Sequence, residues 1–582
     1  MLACVGLSVA LAEQPTPDEL ELRYTVHWNG IKKHPQKDAL VDASRVERLK
    51  DAPVPSFPLL QKRVNDDIVR LQSLLQAQGY YEAQIETKID TRTQPITVNI
   101  TSIPGPLYRI GSQSINYEGS TPPRSKWKPY LIHTDPATTT AIQNAERRML
   151  RHFKNNGQPY PRIVKQDYLI DLESKVMDLS YTIDPGPTYR FGELEIEGMT
   201  SVGKRSILRQ VTWDANQFYD LRLIEDFEKH LILSGLFSKV RITEIPPPAD
   251  ATHLDFILEV TERYQRTIRF GVNYQSEEGF GVNSSWEHRN LFGDGEDLTL
   301  NVELSELSTI ASADFSKPGF KIRNQSLLYG FEIADERPEA YDSTSFSTFI
   351  GLGRSYSQRF LTSVAIGYKY SSVTQSDENN NYGLIYLPIY LAWDTTLDEL
   401  NPQKGYRLNT ELTPYTDVLN GDLDFARLQI TGTHYYTLSR RPIIVLAGRA
   451  TAGTLQGAAT DDIPADERFY SGGGGSVRGY SYQSIGPKVD GQSVGGSSLL
   501  EMSFEVRARF TETWGFATFI DGGMVATNTS PHLNTPMQWG AGAGLRIFTG
   551  IGPLRLDLAY PINPDEDQES RLQFYISLGQ AF

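Results

Sequence analysis

At 582 residues the chain is too long for one ordinary core, which predicts two to four domains or one very large sheet with smaller modules. Its 30 Tyr, 25 Phe and 47 Gly beside a single Cys favour a β-rich chain with many turns over a helical bundle or a disulfide scaffold. A formal net charge of −15 argues against a nucleic-acid partner, because phosphate binding requires a basic surface.

The first twelve residues, MLACVGLSVALA, form an apolar stretch that ends in Ala10-Leu11-Ala12. This pattern is typical of a secretory signal peptide, so residues 1–12 are interpreted as one. The usual basic start is missing, which indicates that the signal begins farther upstream; a short buried N-terminal segment is the alternative. No later run of about 18 apolar residues predicts a transmembrane helix.

The region before residue 264 contains internal repeats. VNITSIPGPLYRIGSQSINYEG (98–119) and LSYTIDPGPTYRFGELEIEG (179–198) share a strand, a Pro-Gly-Pro turn, Tyr-Arg, Gly and a further strand. Gly79, Gly157 and Gly235 lie 78 residues apart, each after a helical pattern and before a strand pattern. Each repeat is therefore predicted to contain a strand, two helices and two more strands.

The repeats place three α+β domains at 23–105, 106–187 and 188–263. Three such units before a β-rich half resemble the polypeptide-transport-associated (POTRA) domains of outer-membrane assembly factors. A tandem α+β array with another structural or binding role is the alternative that the repeats alone leave open.

From about residue 266 the sequence alternates strictly between apolar and polar residues, as in LTLNVELSEL, YRLNTELTP and PLRLDLAYPI. Charged residues fill the second face too regularly for a sandwich core. Turn signals such as FGDGED and LNPQKGY leave room for roughly 16 strands of about 10 residues, which is long enough to cross a bilayer when tilted. The fold prediction is three POTRA-like domains followed by a transmembrane antiparallel β-barrel at 266–582.

The sequence ends on RLQFYISLGQAF, in which alternate apolar residues are predicted to point outward: Leu572, Phe574, Ile576 and Leu578. This stretch resembles the C-terminal targeting strand of bacterial outer-membrane barrels. Together with a secretory start it predicts a protein of the outer membrane of Gram-negative bacteria, with the POTRA-like domains in the periplasm.

A glycine-rich stretch, GGGSVRGYSYQSIGP, resembles the loop-six signature of the BamA superfamily at Val477, Arg478, Gly479 and Tyr480. FIDGGMV (519–525) and GAGLRIFTGIGPLRLDLAYPI (542–562) resemble the next two barrel motifs of that superfamily, and residues 270–298 resemble its first two strands. The resemblance covers nearly the whole chain.

Alternation places the carboxylates of Glu505 and Asp521 on the inner wall of the barrel. The rigid guanidinium fork of Arg478 suits such carboxylates. In the superfamily the loop-six arginine contacts carboxylates of the inner wall, and the matching positions here are Asp521 and Glu505. Glu501 remains an alternative to Glu505, and a solvated arginine on an extracellular turn is the alternative to the whole arrangement.

The resemblance also implies a lateral seam between the first strand, about 268–275, and the last, about 571–581. The seam residues predicted are Phe270, Gly271, Gly579 and Phe582. Gly579 either kinks the last strand or is a small residue needed for packing.

An enzyme is not indicated, because Ser471 and Ser476 lack a nucleophile-elbow pattern and the histidines lack ligand spacing. We therefore expect no catalytic residues, metal or cofactor. A passive channel would not require the repeats or the arginine loop.

Among assembly factors, three repeats most resemble the TamA family, and BamA-like general assembly factors and two-partner secretion transporters are the alternatives. The TamA resemblance implies a monomeric barrel that contacts outer-membrane lipid. It also implies an inner-membrane-anchored, TamB-like partner that binds the POTRA-like domains, and unfolded outer-membrane clients such as autotransporters. Phospholipid transport is left open.

Overall fold

A computed structural model describes residues 22–31, 34–119, 121–129, 135–248, 250–275, 279–376, 378–530, 536–550, 552–565 and 571–582. The predicted signal peptide lies outside these residues. The chain forms two compact units. One runs to Glu195 and includes Thr212–Asp226 and Thr243–Ile257; the other comprises Ile196–Val211, Phe227–Ile242 and Leu258–Phe582.

Three small mixed sheets, each with helices, precede the barrel. The first has the order β1-β3-β2 and contains β1 (Tyr24–Asn29), α1 (Lys37–Ala43), α2 (Arg45–Arg48), α3 (Phe57–Ala77), β2 (Gln84–Asp90) and β3 (Ile96–Ile103). The second has the order β4-β6-β5 and contains β4 (Arg109–Tyr117), α4 (Thr139–Lys154), β5 (Arg162–Asp171) and β6 (Val176–Asp184). The third has the order β7-β9-β8 and contains β7 (Arg190–Glu197), α5 (Lys204–Leu208), α6 (Leu221–Leu233), β8 (Phe237–Glu244) and β9 (His253–Glu262).

The three repeating glycines each follow the last helix of a module. Their φ angles are +92° at Gly79, +95° at Gly157 and +72° at Gly235, in the left-handed region that ends a helix at low cost only for glycine. The second module has one helix within its described residues, where two were predicted; residues 130–134 are outside the description. Within the described parts of the chain, no helix is long and apolar enough to cross a membrane.

The carboxylate of Glu262, at the end of β9, accepts five hydrogen bonds from the loop before α5. Its Oε1 accepts the backbone N–H groups of Thr200 (2.8 Å), Ser201 (2.9 Å) and Val202 (2.9 Å), and its Oε2 accepts the hydroxyls of Thr200 and Ser201. Partial burial opposes ionisation and raises the pKa, but these donors favour the charged form more strongly. Their net effect lowers the pKa of Glu262 from 4.5 to about 2.

We expect the Glu262 carboxyl to titrate near pH 2 in the folded protein. Because its pKa is lower in the folded state than in the unfolded chain, its stabilising contribution is complete above about pH 4.5 and is lost as the pH falls through about 2. Carboxyl-carbon NMR of glutamate-labelled protein measures the midpoint, and Glu262→Gln assigns the signal. A midpoint near 4.5 would contradict the prediction.

The remaining chain forms a closed antiparallel barrel in which successive strand positions pair with each other and the last strand pairs with the first. Its first half contains β10 (Arg266–Gln275), β11 (Gly279–His288), β12 (Asp297–Leu304), β13 (Ser308–Pro318), β14 (Gln325–Glu336), β15 (Asp342–Ser357), β16 (Phe360–Gln375), β17 (Glu378–Tyr386), β18 (Ile389–Asp394) and β19 (Gly405–Asp417). Its second half contains β20 (Asp424–Arg440), β21 (Ile443–Gln456), β24 (Ser498–Arg509), β25 (Trp514–Ala526), β26 (Gln538–Thr549), β27 (Gly552–Pro561) and β28 (Gln573–Leu578). Two short strands, β22 (Lys488–Val489) and β23 (Gln492–Ser493), pair with each other in the loop between β21 and β24.

The strands β17 and β18 occupy one position in the barrel, since both pair with β16 on one side and β19 on the other. They are separated by Leu387 and Pro388, and proline has no backbone N–H to donate to a ladder. Counted this way, the barrel has sixteen strand positions, and the predicted fold class is confirmed.

The outer face of the barrel is apolar. Leu300, Val302 and Leu304 of β12 are each more than 40% exposed, whereas the inward-facing Glu505, Asp521 and Asp557 are fully buried. An exposed apolar face around a polar interior is the arrangement of a barrel that lies in a bilayer.

Candidate functional site

The loop between β21 and β24, residues 457–497, folds into the barrel interior; we call it loop six. Val477 and Tyr480 are buried at 0% and 3% exposure, and they form an apolar cluster with Ile485. Gly472 and Gly473 have φ angles of +109° and +102°, which other residues rarely adopt. The glycine run therefore shapes the turn that carries Arg478 into the interior.

Arg478 is 2% exposed, and three carboxylates of the barrel wall surround its guanidinium. Nε and Nη2 donate to Asp521 Oδ2 and Oδ1 at 2.7 and 3.0 Å, which is a bidentate pair. Nη1 donates to Glu505 Oε2 at 3.1 Å and to Asp557 Oδ2 at 3.0 Å. The guanidinium carbon lies 3.3 Å from the centre of the Phe519 ring. One side chain thus connects β24, β25 and β27.

Three further arginines share two of these carboxylates. Arg507 Nε and Arg546 Nη2 each lie 3.0 Å from Glu505 Oε1. Arg546 Nη1 lies 2.5 Å from Asp557 Oδ1, and Arg555 Nε lies 3.7 Å from Asp557 Oδ2. Among the ion pairs of the described residues, Asp521 has Arg478 as its cation. The negative charge of Asp521 is therefore stabilised by Arg478 alone among these pairs, whereas Glu505 and Asp557 have further arginines.

Glu501, the alternative to Glu505, has different partners. Its Oε1 accepts hydrogen bonds from the hydroxyl of Ser471, at 2.8 Å, and from the hydroxyl of Ser476. It therefore holds the base of the glycine turn through the two serines on either side of the glycines.

The backbone next to Arg478 packs closely against the last strands. The N–H of Gly479 donates to the hydroxyl of Tyr575 on β28 at 3.0 Å, and the hydroxyl of Tyr480 donates to the carbonyl of Trp539 at 3.1 Å. A Cβ at Gly540 would lie 2.0 Å from the carbonyl oxygen of Arg478. This approach leaves no room for a side chain at Gly540.

Loop six has a second ionic attachment on another part of the wall. Lys369 Nζ on β16 lies 2.8 Å from Asp466 Oδ2 and 2.6 Å from Glu467 Oε1. The hydroxyl of Tyr415 on β19 donates to Glu467 Oε2 at 2.9 Å. The first part of the loop is thus held by β16 and β19, and the Arg478 part by β24 to β28.

The barrel closes between its first and last strands by a short ladder. Within the described residues two pairs join β10 to β28, Tyr274 with Ile576 and Gln275 with Tyr575. Ten pairs join β10 to β11, and six join β27 to β28. We refer to these two pairs as the seam.

The four predicted seam residues lie outside these two pairs. Phe270 and Gly271 are on β10 and pair with β11. Gly579 follows the end of β28 with a φ of +92°, and its N–H donates to the carbonyl of Pro553 at 2.8 Å. This turn directs the chain away from β10.

Phe582 consequently lies inside the barrel rather than on the last strand. Its ring stacks on Tyr435 of β20 at 6.5 Å between centroids, and the Arg507 guanidinium lies 5.2 Å from the ring centre.

Asp557 lies on the polar face of the alternating stretch PLRLDLAYPI but was not predicted as a partner of Arg478, and neither Arg546 nor Tyr575 was predicted at the site. The alternation in PLRLDLAYPI was the available signal for Asp557. The alternation in RLQFYISLGQAF likewise places Tyr575 on the inner face, but no pattern shows that its hydroxyl reaches the loop.

Residues 290–582, half of the chain, match the family model of the Omp85 superfamily domain. The chain is 24% identical to the outer membrane protein assembly factor BamA of Neisseria meningitidis serogroup B, over 90% of this chain and 73% of that one. It is 23% identical to BamA of Nitratidesulfovibrio vulgaris, over 87% of this chain and 66% of that one. The matches thus leave part of the length of each relative uncovered.

A crystal structure of BamA from Haemophilus ducreyi lacking POTRA domains 1–3 superposes with a TM-score of 0.64 at 17% identity, and the match covers 81% of this chain and 100% of that one. At this identity the likeness concerns the fold. Together with the family match, it agrees with the resemblance read from the loop-six motif. The chain belongs to the Omp85 superfamily.

Proposed function

We propose that this chain is an outer-membrane protein assembly factor that accepts the strands of client proteins at the seam between β10 and β28. The observation that carries the proposal is the short closure: among the described residues, two pairs join β10 to β28, against ten between β10 and β11. Strand edges with unpaired backbone groups are templates for another strand, so a client strand can add to β10 or β28 by β-augmentation. The names of the relatives from Neisseria and Nitratidesulfovibrio support this function.

The barrel lies in the outer membrane as a monomer, and the three modules extend into the periplasm. There they bind unfolded clients or an inner-membrane-anchored partner. The mechanism is non-enzymatic, because strand exchange at the seam and burial of apolar strands in lipid supply the driving force. No cofactor takes part.

The finer proposal is a TamA-like factor that acts with a TamB-like partner on autotransporters and other β-barrel proteins. The three modules ahead of the barrel support it. The names of the relatives favour a BamA-like general factor equally well. Capture of native partners on the tagged full-length chain separates the two: a large inner-membrane-anchored β-rich protein indicates the first, and a set of lipoproteins indicates the second.

The function is tested by reconstitution in lipid vesicles. We expect a urea-unfolded outer-membrane barrel client to insert faster into vesicles that contain the chain than into empty vesicles. The folded client is measured by its altered mobility on gels run without heating. Vesicles with an unrelated barrel of the same size are the control. Equal insertion in the two kinds of vesicle would contradict the proposal.

A further inference from the structure

Loop six and the seam meet at one residue, Tyr575. Among the described residues, this tyrosine is one of two on β28 that pair with β10, and its partner is Gln275. Its side chain is 3% exposed, points into the barrel and packs with Phe519 and Ala559. Its hydroxyl accepts the backbone N–H of Gly479 at 3.0 Å. The residue after Arg478 is therefore bonded directly to a residue that closes the barrel.

Loop six makes a second contact beside Tyr575, on the neighbouring strand β27. Asp557 of β27 is the pairing partner of Tyr575, and its Oδ2 accepts from Arg478 Nη1 at 3.0 Å. Asp557, Tyr575 and Gln275 thus form one row across β27, β28 and β10. Arg478 and Gly479 hold the first two members of that row, and the third lies across the seam.

We propose that loop six controls the seam and that Tyr575 is the positioning residue that couples them. While Arg478 is docked on its three carboxylates, the Gly479 N–H is fixed in place and orients the Tyr575 hydroxyl. The tyrosine in turn holds the β28 backbone in register with Gln275. Coupling between two sites is reciprocal, so a client strand that displaces β28 also loosens the docking of loop six. The inference rests on the proposed function, since the seam is where that function places clients.

The bond can be removed with little change in packing. Tyr575→Phe keeps the buried ring and deletes the hydroxyl. A hydrogen bond of this kind contributes enough that its loss should raise the fraction of open seam by about three- to tenfold. Tyr415→Phe is the matched control, because it removes a tyrosine hydroxyl that also bonds loop six, at Glu467, but at a strand far from the seam.

The experiment is hydrogen–deuterium exchange of the full-length chain in lipid nanodiscs, without client. We expect amides in 266–275 and 571–578 to exchange about three- to tenfold faster in Tyr575→Phe, and at the wild-type rate in Tyr415→Phe. Retained gel mobility without heating shows that both variants fold. Seam exchange in Tyr575→Phe that equals wild type overturns the coupling, and so does an equal increase in Tyr415→Phe. Because no client is present, failure of the vesicle insertion assay would overturn the proposed function and leave this result unaffected.

Discussion

Arg478→Ala should lower the free energy of unfolding of the barrel by about 3–5 kcal/mol, the usual cost of leaving a buried charge without its partner. The reason lies mainly in Asp521. Glu505 retains Arg507 and Arg546, and Asp557 retains Arg546, but Asp521 has Arg478 as its cation among the described ion pairs. Asp521 is 0% exposed, so bulk water does not solvate its charge and the guanidinium of Arg478 is what stabilises it.

The measurement is the midpoint of unfolding in detergent for a series of variants. The folded fraction is read from the mobility of the protein on gels run without heating. Arg478→Lys should recover part of the loss, because it restores the charge but cannot form the bidentate pair with Asp521. Arg337→Ala is the matched control: it also makes a bidentate pair, with Asp335, but both side chains are exposed, so its loss should leave the midpoint of unfolding almost unchanged.

A double variant separates a buried ion pair from simple loss of packing. Asp521→Asn removes the stranded charge, so Arg478→Ala combined with Asp521→Asn should be less destabilised than the sum of the two single variants. Additive losses, or a single Arg478→Ala variant as stable as wild type, would show that loop six is not anchored by this pair.

A disulfide across the seam should stop client insertion. Tyr274 and Ile576 are direct partners on antiparallel strands, which is close enough for a disulfide between cysteines at both positions. If clients enter by strand exchange between β10 and β28, Tyr274→Cys with Ile576→Cys should reduce vesicle insertion to the rate of empty vesicles under oxidising conditions. A reductant should restore it.

The control disulfide joins a pair that does not need to open. Val272 and Val282 are partners on β10 and β11, and both side chains are exposed on the outer face. Val272→Cys with Val282→Cys should therefore leave insertion near the wild-type rate under both conditions. Insertion by an oxidised seam variant at the wild-type rate would exclude strand exchange at this seam.

Much of the fold could be predicted because it depends on local patterns. Alternation of period two is a direct consequence of strand geometry, and it identifies which residues face lipid and which face the interior. The repeated glycines mark helix ends since their positive φ is a local requirement. The interruption at Pro388, which divides one barrel strand into β17 and β18, follows from the missing N–H but was not predicted, because the strands around it were not delimited residue by residue.

For the candidate site, the sequence by itself determined that the carboxylates of Glu505 and Asp521 face the interior, whereas the loop motif around Arg478 was placed there by resemblance alone. Only the tertiary structure decided which of them meet. Arg478 reaches Asp557 as well, and Glu501 instead holds Ser471 and Ser476. Those distances depend on how the closed barrel brings β24, β25 and β27 around the loop, which no local pattern encodes. The seam was likewise decided in three dimensions: the chain turns inward at Gly579, and among the described residues two pairs join β10 to β28.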